Sequence, residues 1–276
     1  MYNMKNKTSL ITLLLFLTFI SSCKEDDSED DMNPPVTSSV CVPTEINYDN
    51  NNYTSKFMYN SLNQITKEDI IDNNNIFMTV LYEYSPNTYN IVKKIRYSTT
   101  QNVIDSYYQF EYSSDNLLTK ETYYDNRNGI TTEKETYIFE YNTEKELIKR
   151  SYYERGALIS YRTFQYTNGL MTKIQNHRLN GSLGDVIDIE YDNKIGVISG
   201  LSSLGAGSTI AVFDTHGYPF KRNITKYTVT NSNGELVDDE SYTSTYEYNS
   251  DGYPTKRFEN RLDGRNRIET YTYNCK

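Results

Sequence analysis

Tryptophan is absent from this 276-residue chain, histidine occurs only twice and cysteine three times. Two histidines, His177 and His216, both in expected turns, cannot supply a zinc ligand set of ordinary spacing, and neither has a partner that would make it an acid or base. A nucleophile elbow and a phosphate-binding glycine loop are missing as well; Gly205-Ala206-Gly207 lacks the lysine and the strand-to-helix context. Long apolar runs are also lacking. The longest, Leu10 to Phe19, falls well short of the about 20 residues that a membrane-spanning helix needs. Positive charge is scarce, with 28 Lys and Arg against 37 Asp and Glu and a net charge of −9, which argues against nucleic acid as a partner.

What is present begins at the N-terminus. Lys5 and Lys7, the apolar run and Ile20-Ser21-Ser22-Cys23 read as a lipoprotein signal peptide over residues 1–22. Cys23 is then the lipidation site, its thiol and new amino terminus carrying acyl chains such as palmitate, and two chains suffice for stable anchoring. Residues 23–40 form an acidic tether: Lys24 to Asp31 holds six acids and one lysine and should stay solvated. It lacks the rigid spacing and turn glycine of a calcium loop. Cys-Lys-Glu-Asp-Asp resembles the export signal of surface lipoproteins of the Bacteroidetes, which implies an outer-membrane anchor facing the cell exterior; a periplasm-facing anchor is the alternative. Loss of residues 1–22 moves the net charge from −9 to −11.

The rest, residues 41–276, reads as a single repeat-built all-β domain. Aromatic-x-aromatic triplets recur with a basic residue or pair after each: Phe57-Met58-Tyr59 with Lys67, Tyr82-Glu83-Tyr84 with Lys93-Lys94, Phe110-Glu111-Tyr112 with Lys120 and Phe139-Glu140-Tyr141 with Lys149-Arg150. Phe164-Gln165-Tyr166 with Lys173, Ile189-Glu190-Tyr191 with Lys194, Phe213-Asp214 with Lys221-Arg222 and Tyr246-Glu247-Tyr248 with Lys256-Arg257 follow. Most copies start 25 to 29 residues apart, the size of one supersecondary unit. Alternation along Tyr137, Phe139 and Tyr141 and turn pairs such as Asp115-Asn116 and Asn168-Gly169 make each unit a β-hairpin. The register sets Glu111 opposite Lys120, Glu140 opposite Lys149 and Glu247 opposite Lys256, each pair contributing roughly 0.2–1 kcal/mol.

Eight hairpins in series predict a long antiparallel β-meander of about 14 to 18 strands, curled into a large barrel-like sheet because closure removes exposed edges. Glutamates in mid-strand argue against a lipid-facing wall. Cys41 and Cys275 stand at the two ends of this domain and, outside the cytoplasm, either form a disulfide or remain two free thiols. Gly200 to Gly207 reads as a flexible loop or bulged strand.

Tyr248-Asn249-Ser250-Asp251-Gly252-Tyr253-Pro254 and Phe213-Asp214-Thr215-His216-Gly217-Tyr218-Pro219 resemble the tyrosine-aspartate (YD, Rhs-like) repeat of secreted bacterial proteins. Together with the lipobox, the acidic tether and the Phe-Glu-Tyr copies, they resemble a family of uncharacterised Bacteroidetes surface lipoproteins with a porin-like fold. That resemblance implies a lipid-anchored β-barrel and carries no catalytic residues. No cofactor and no metal are expected. Asp238-Asp239-Glu240, the densest acidic group of the domain, follows the turn signal Asn233-Gly234 and reads as a solvated hairpin end rather than a glycosidase pair.

Most of the 28 tyrosines should be core. In the doublets Tyr107-Tyr108, Tyr123-Tyr124 and Tyr152-Tyr153 one member must point outward, and Tyr108, Tyr123 and Tyr152 are taken as the ligand-binding candidates. The functional expectation is a non-catalytic outer-membrane lipoprotein that binds a glycan or a protein partner through such rings. The alternatives are a scaffold or shell around an apolar or peptide ligand, and a glycoside hydrolase.

Overall fold

The computed structural model describes residues 41–49, 53–86, 88, 90–99, 103–126, 129–197, 220 and 222–275. Cys23 with its signal peptide and tether, His216 and Gly200 to Gly207 lie outside the described residues. Among the described residues sixteen strands follow one another: β1 (Cys41–Tyr48), β2 (Tyr53–Tyr59), β3 (Ile65–Asp72), β4 (Asn75–Tyr84), β5 (Ile91–Ser98) and β6 (Val103–Tyr112). Then come β7 (Leu118–Asp125), β8 (Thr132–Tyr141), β9 (Leu147–Glu154), β10 (Ala157–Thr167), β11 (Leu170–Arg178) and β12 (Leu183–Tyr191). The chain ends with β13 (Ile224–Thr230), β14 (Tyr242–Tyr248), β15 (Pro254–Arg261) and β16 (Asn266–Cys275). Each pairs antiparallel with the next, and β1 pairs with β16, so the meander closes into a barrel.

One local design repeats around the barrel. Asn60, Ser113 and Asn249 each open a turn in which the side-chain oxygen accepts two backbone N–H groups, from Leu62 and Gln64, Asp115 and Leu117, and Asp251 and Tyr253. Such side-chain turns tie down a loop without a helix or ladder. The fourth residue, Asn63, Asn116 or Gly252, has positive φ, the conformation that asparagine and glycine tolerate best. A bulge beside each turn shifts the register between Met58 and Tyr59, Glu83 and Tyr84, Glu111 and Tyr112, and Glu140 and Tyr141. Bulges bend and twist the strands, as closure requires.

The second aromatic of each triplet reaches across to the neighbouring hairpin. Tyr84, Tyr112, Tyr141, Tyr166 and Tyr191 donate to the carbonyls of Ile65, Ile91, Leu118, Leu147 and Met171 at 2.6–3.1 Å. Tyr59 donates likewise to Pro43; in the last triplet it is the first aromatic, Tyr246, that donates to a carbonyl, that of Ile224, while Tyr248 donates to the Asp192 carboxylate. A buried carbonyl without a partner would cost about 1–3 kcal/mol. This ladder therefore stitches each hairpin to the next at one end of the barrel.

The expected cross-strand pairs are present on the outer wall: Lys120–Glu111 at 2.9 Å and Lys149–Glu140 at 2.7 Å, with Glu247 opposite Lys256. Lys226–Glu190 and Lys173–Asp188 extend the pattern. Each such exposed pair is worth little, about 0–1 kcal/mol, but together they place charge in the middle of outward faces, where a lipid-facing strand is apolar. Barrels of sixteen strands can hold a channel. Here a continuous apolar cluster including Phe57, Ile65, Ile91, Phe110, Leu118, Phe139, Leu147, Phe164 and Ile174 occupies the inner face.

Candidate functional site

Across from the aromatic core positions, three residues beyond Ile65, Ile91, Leu118 and Leu147 because of the bulges, the inner wall carries charge. Glu68 pairs with Phe57, Lys94 with Tyr82, Glu121 with Phe110 and Arg150 with Phe139. The lysine just before each of these points outward; this second charged residue of the doublet points into the barrel. Arg150 lies over the Tyr137 ring at 4.0 Å and Lys94 over Tyr108 at 5.5 Å, contacts that partly compensate burial of the cations.

The tyrosine doublets divide between the two faces, but the assignment differs from the sequence expectation. Tyr108 packs against Phe110 and Tyr123, and Tyr152 against Tyr137, so Tyr108, Tyr123 and Tyr152 face inward. The physical reason is plain alternation: Tyr108 is two residues from Phe110, and Tyr152 two from the inward Arg150. Tyr107, Tyr124 and Tyr153 are the outward members. Tyr107 and Tyr124 stack at 4.7 Å with Lys93 over the Tyr107 ring at 4.6 Å. Farther along the outer wall Tyr161 stacks on His177 at 4.6 Å, and Lys149 lies 5.6 Å from the Tyr161 ring. His177 sits in β11 rather than in a turn, with Nε2 3.0 Å from the Thr163 hydroxyl. Asp238, Asp239 and Glu240 are exposed turn residues.

A second assembly, which sequence reasoning missed, lies inside the barrel on β14, β15, β16 and β1. Glu259, only 3% exposed, accepts from Arg257 at 2.6 Å and from Arg261 at 2.9 Å. Glu269 stands 3.4 Å from Arg257 and 3.1 Å from Arg267, and accepts from the Tyr271 hydroxyl at 2.5 Å. Arg257 also donates to Ser244 at 3.1 Å. Burial lowers the affinity of the Arg257 guanidinium for its proton, but the two glutamates and the neighbouring tyrosines outweigh it and hold the group charged. Burial, followed by the Glu269 charge, pushes the Tyr271 hydroxyl well above its ordinary value. A signal was present in the sequence: Arg257, Glu259 and Arg261 alternate.

These side chains line a cavity of about 230 Å³ together with Tyr48, Tyr242, Tyr246, Phe220 and Arg222. It adjoins the most sparsely paired junction of the barrel, where β13 and β14 share only the pairs Lys226–Thr243 and Tyr227–Tyr242.

At the other end the structure joins Cys41 to Cys275, with Cα atoms 4.0 Å apart. Cys41 is fully buried against Ile195 and Tyr253, and its N–H donates to the Tyr253 hydroxyl at 3.3 Å. Asp251 approaches both sulfurs, which are already committed to one another.

No family model matches the chain, and no curated protein does either. Among solved structures it is similar to a porin-like protein from Bacteroides uniformis, with 18% identity and a TM-score of 0.56 over 88% of this chain and all of the other. It is also similar to a porin-like protein from Bacteroides vulgatus, with 8% identity and a TM-score of 0.54 over 84% of this chain and 98% of that one. At these identities the likeness is one of fold: this chain shares the closed antiparallel barrel of those porin-like proteins.

Proposed function

We propose that this protein is a non-catalytic, lipid-anchored barrel of the outer membrane, displayed toward the cell exterior, that captures a glycan on its outer wall. The observation that carries the reading is the outward aromatic band, Tyr107 stacked on Tyr124 beneath Lys93 and Tyr161 stacked on His177 beside Lys149. Flat amphipathic rings suit sugar faces, and flanking amines suit their hydroxyl or acidic groups. Neighbouring strands stand about 4.8 Å apart, so a band from β6 to β11 offers repeated contacts to an extended chain rather than one deep pocket.

The anchor of this reading is Cys23 after Ser21-Ser22. Labelled palmitate should enter the wild-type protein and not a Cys23→Ala variant; equal labelling of both would remove the anchor.

The binding reading predicts saturable retention on a glycan array by the full chain in mild detergent. Replacing Tyr107 and Tyr124 together with Ala should weaken it about tenfold, the equivalent of roughly 1.4 kcal/mol, with the far-ultraviolet circular dichroism unchanged. A blank array from folded protein, or full affinity in the double variant, would move the function to a protein partner or a scaffold.

A further inference from the structure

Inside the barrel, three guanidiniums and two carboxylates meet in one wall, which leaves that wall with an excess positive charge. All five are ion-paired: Arg257 and Arg261 share Glu259, and Glu269 takes Arg257, Arg267 and the Tyr271 hydroxyl. Arg267 is held least fully. Its buried Nε lies 3.1 Å from Glu269 without an aligned hydrogen bond, so the pair is one of charge alone. Its guanidinium lies over the Tyr48 ring at 4.7 Å, which fixes the plane of the fork, and its side chain is one third exposed. A planar, stacked guanidinium with unused donors is the arrangement that holds a carboxylate through two parallel hydrogen bonds.

The cavity beside it limits what such a carboxylate belongs to. Its volume, about 230 Å³, is below the range of about 300–1,000 Å³ typical for drug-sized ligands, so it suits a molecule of about one sugar ring. The remaining lining supplies hydroxyl partners and ring faces: the carboxylates of Glu259 and Glu269, and the rings of Tyr242 and Tyr246. An apolar ligand would leave these polar groups facing hydrocarbon, which is costly.

We infer that this lumenal cavity is a second binding site, separate from the outer aromatic band, for a small polyhydroxylated monocarboxylate of the hexuronic acid class, with Arg267 clamping the carboxylate. Such a ligand comes either as a free sugar acid or as the terminal residue of an acidic polysaccharide. In both cases the same carboxylate meets the same fork.

Isothermal titration of the full chain in mild detergent tests this with glucuronate and galacturonate, a short oligogalacturonate, and glucose and acetate as controls. Saturable, one-to-one binding of a uronate, at least tenfold tighter than glucose or acetate, is the expected result. Arg267→Gln should weaken it at least tenfold, and Arg267→Lys, which keeps the charge and loses the fork, should recover only part. Free uronate binding as tightly as the oligomer would point to a free sugar acid; a tighter oligomer that still depends on Arg267 would point to a chain end. No uronate binding, equal binding of acetate, or undiminished binding by Arg267→Gln would overturn the site. Should Arg267→Gln fail to fold, the wild-type preference for uronate over glucose and acetate decides alone. The Tyr107 and Tyr124 double variant should bind uronate as the wild type does, which separates this site from the outer wall.

Discussion

Removing the disulfide, by Cys41→Ser together with Cys275→Ser, is expected to lower stability by about 5 kcal/mol, the loop-closure figure for a cross-link of this span. The two cysteines are 234 residues apart in sequence, so in the unfolded chain the bond ties together the ends of the whole domain. In the folded barrel the same residues already face each other in the β1–β16 ladder, which runs from the pair Cys41–Cys275 to Tyr48–Glu269. Native contacts beyond the bond itself thus change little, and the effect falls on the unfolded ensemble. With a urea slope of about 2–3 kcal/mol/M, the midpoint should drop by roughly 2 M. Equilibrium unfolding of oxidised wild type against the double serine variant measures it. Coincident midpoints would mean that the ladder alone holds the seam.

That ladder also shows what could be read in advance and what could not. Hairpin identity, strand number and the outer Glu–Lys register depend on residues fewer than ten positions apart, as in Glu111 and Lys120, and local alternation with turn chemistry is enough to specify them. Closure depends on β1 meeting β16, a pairing that no local pattern encodes; it is foreshadowed only by the need to remove exposed edges and by the cysteines at the two ends of the domain. The inward direction of Tyr108, Tyr123 and Tyr152 follows from their phase with Phe110 and Arg150, which a doublet by itself does not carry.

The lumenal cluster stayed hidden for a different reason. Treating aromatic residues as core and charges as surface already fails at the inward Lys94, Glu121 and Arg150, and on β15 it inverts. Glu259 is buried, whereas Phe258 pairs with Ile268 and Thr245 on the opposite face. Lys256 covers its ring at 4.6 Å. Glu259 is held by Arg257 and Arg261 of its own strand, and β16 adds Glu269 as a second partner for Arg257. The first pairing is written in the alternation along β15; the second is visible only in the register between β15 and β16.

Alkaline pH should unfold this barrel abruptly. Tyr59, Tyr84, Tyr141, Tyr166, Tyr191 and Tyr246 have hydroxyls that donate to backbone carbonyls, and burial raises the proton affinity of every one above the ordinary tyrosine value. A phenolate could not donate and would face a carbonyl oxygen instead. In the unfolded chain these groups lose their protons near pH 10, while in the folded barrel they keep them. Above pH 10 the unfolded state therefore binds fewer protons than the native one, and stability falls as pH rises. Below pH 10 both states are protonated and the contribution is constant. Each tyrosine contributes a slope of at most about 1.4 kcal/mol per pH unit, so six together approach about 8 kcal/mol per unit, against a typical total stability of about 5–15 kcal/mol. The transition should fall within about one to two pH units above 10. The six would ionise in one cooperative step. Tyrosinate absorbance and far-ultraviolet circular dichroism, followed together during an alkaline titration, should show that step at the same pH. Complete ionisation of the tyrosines with the β signal intact would mean that the hydroxyl ladder is not what holds the hairpins to one another.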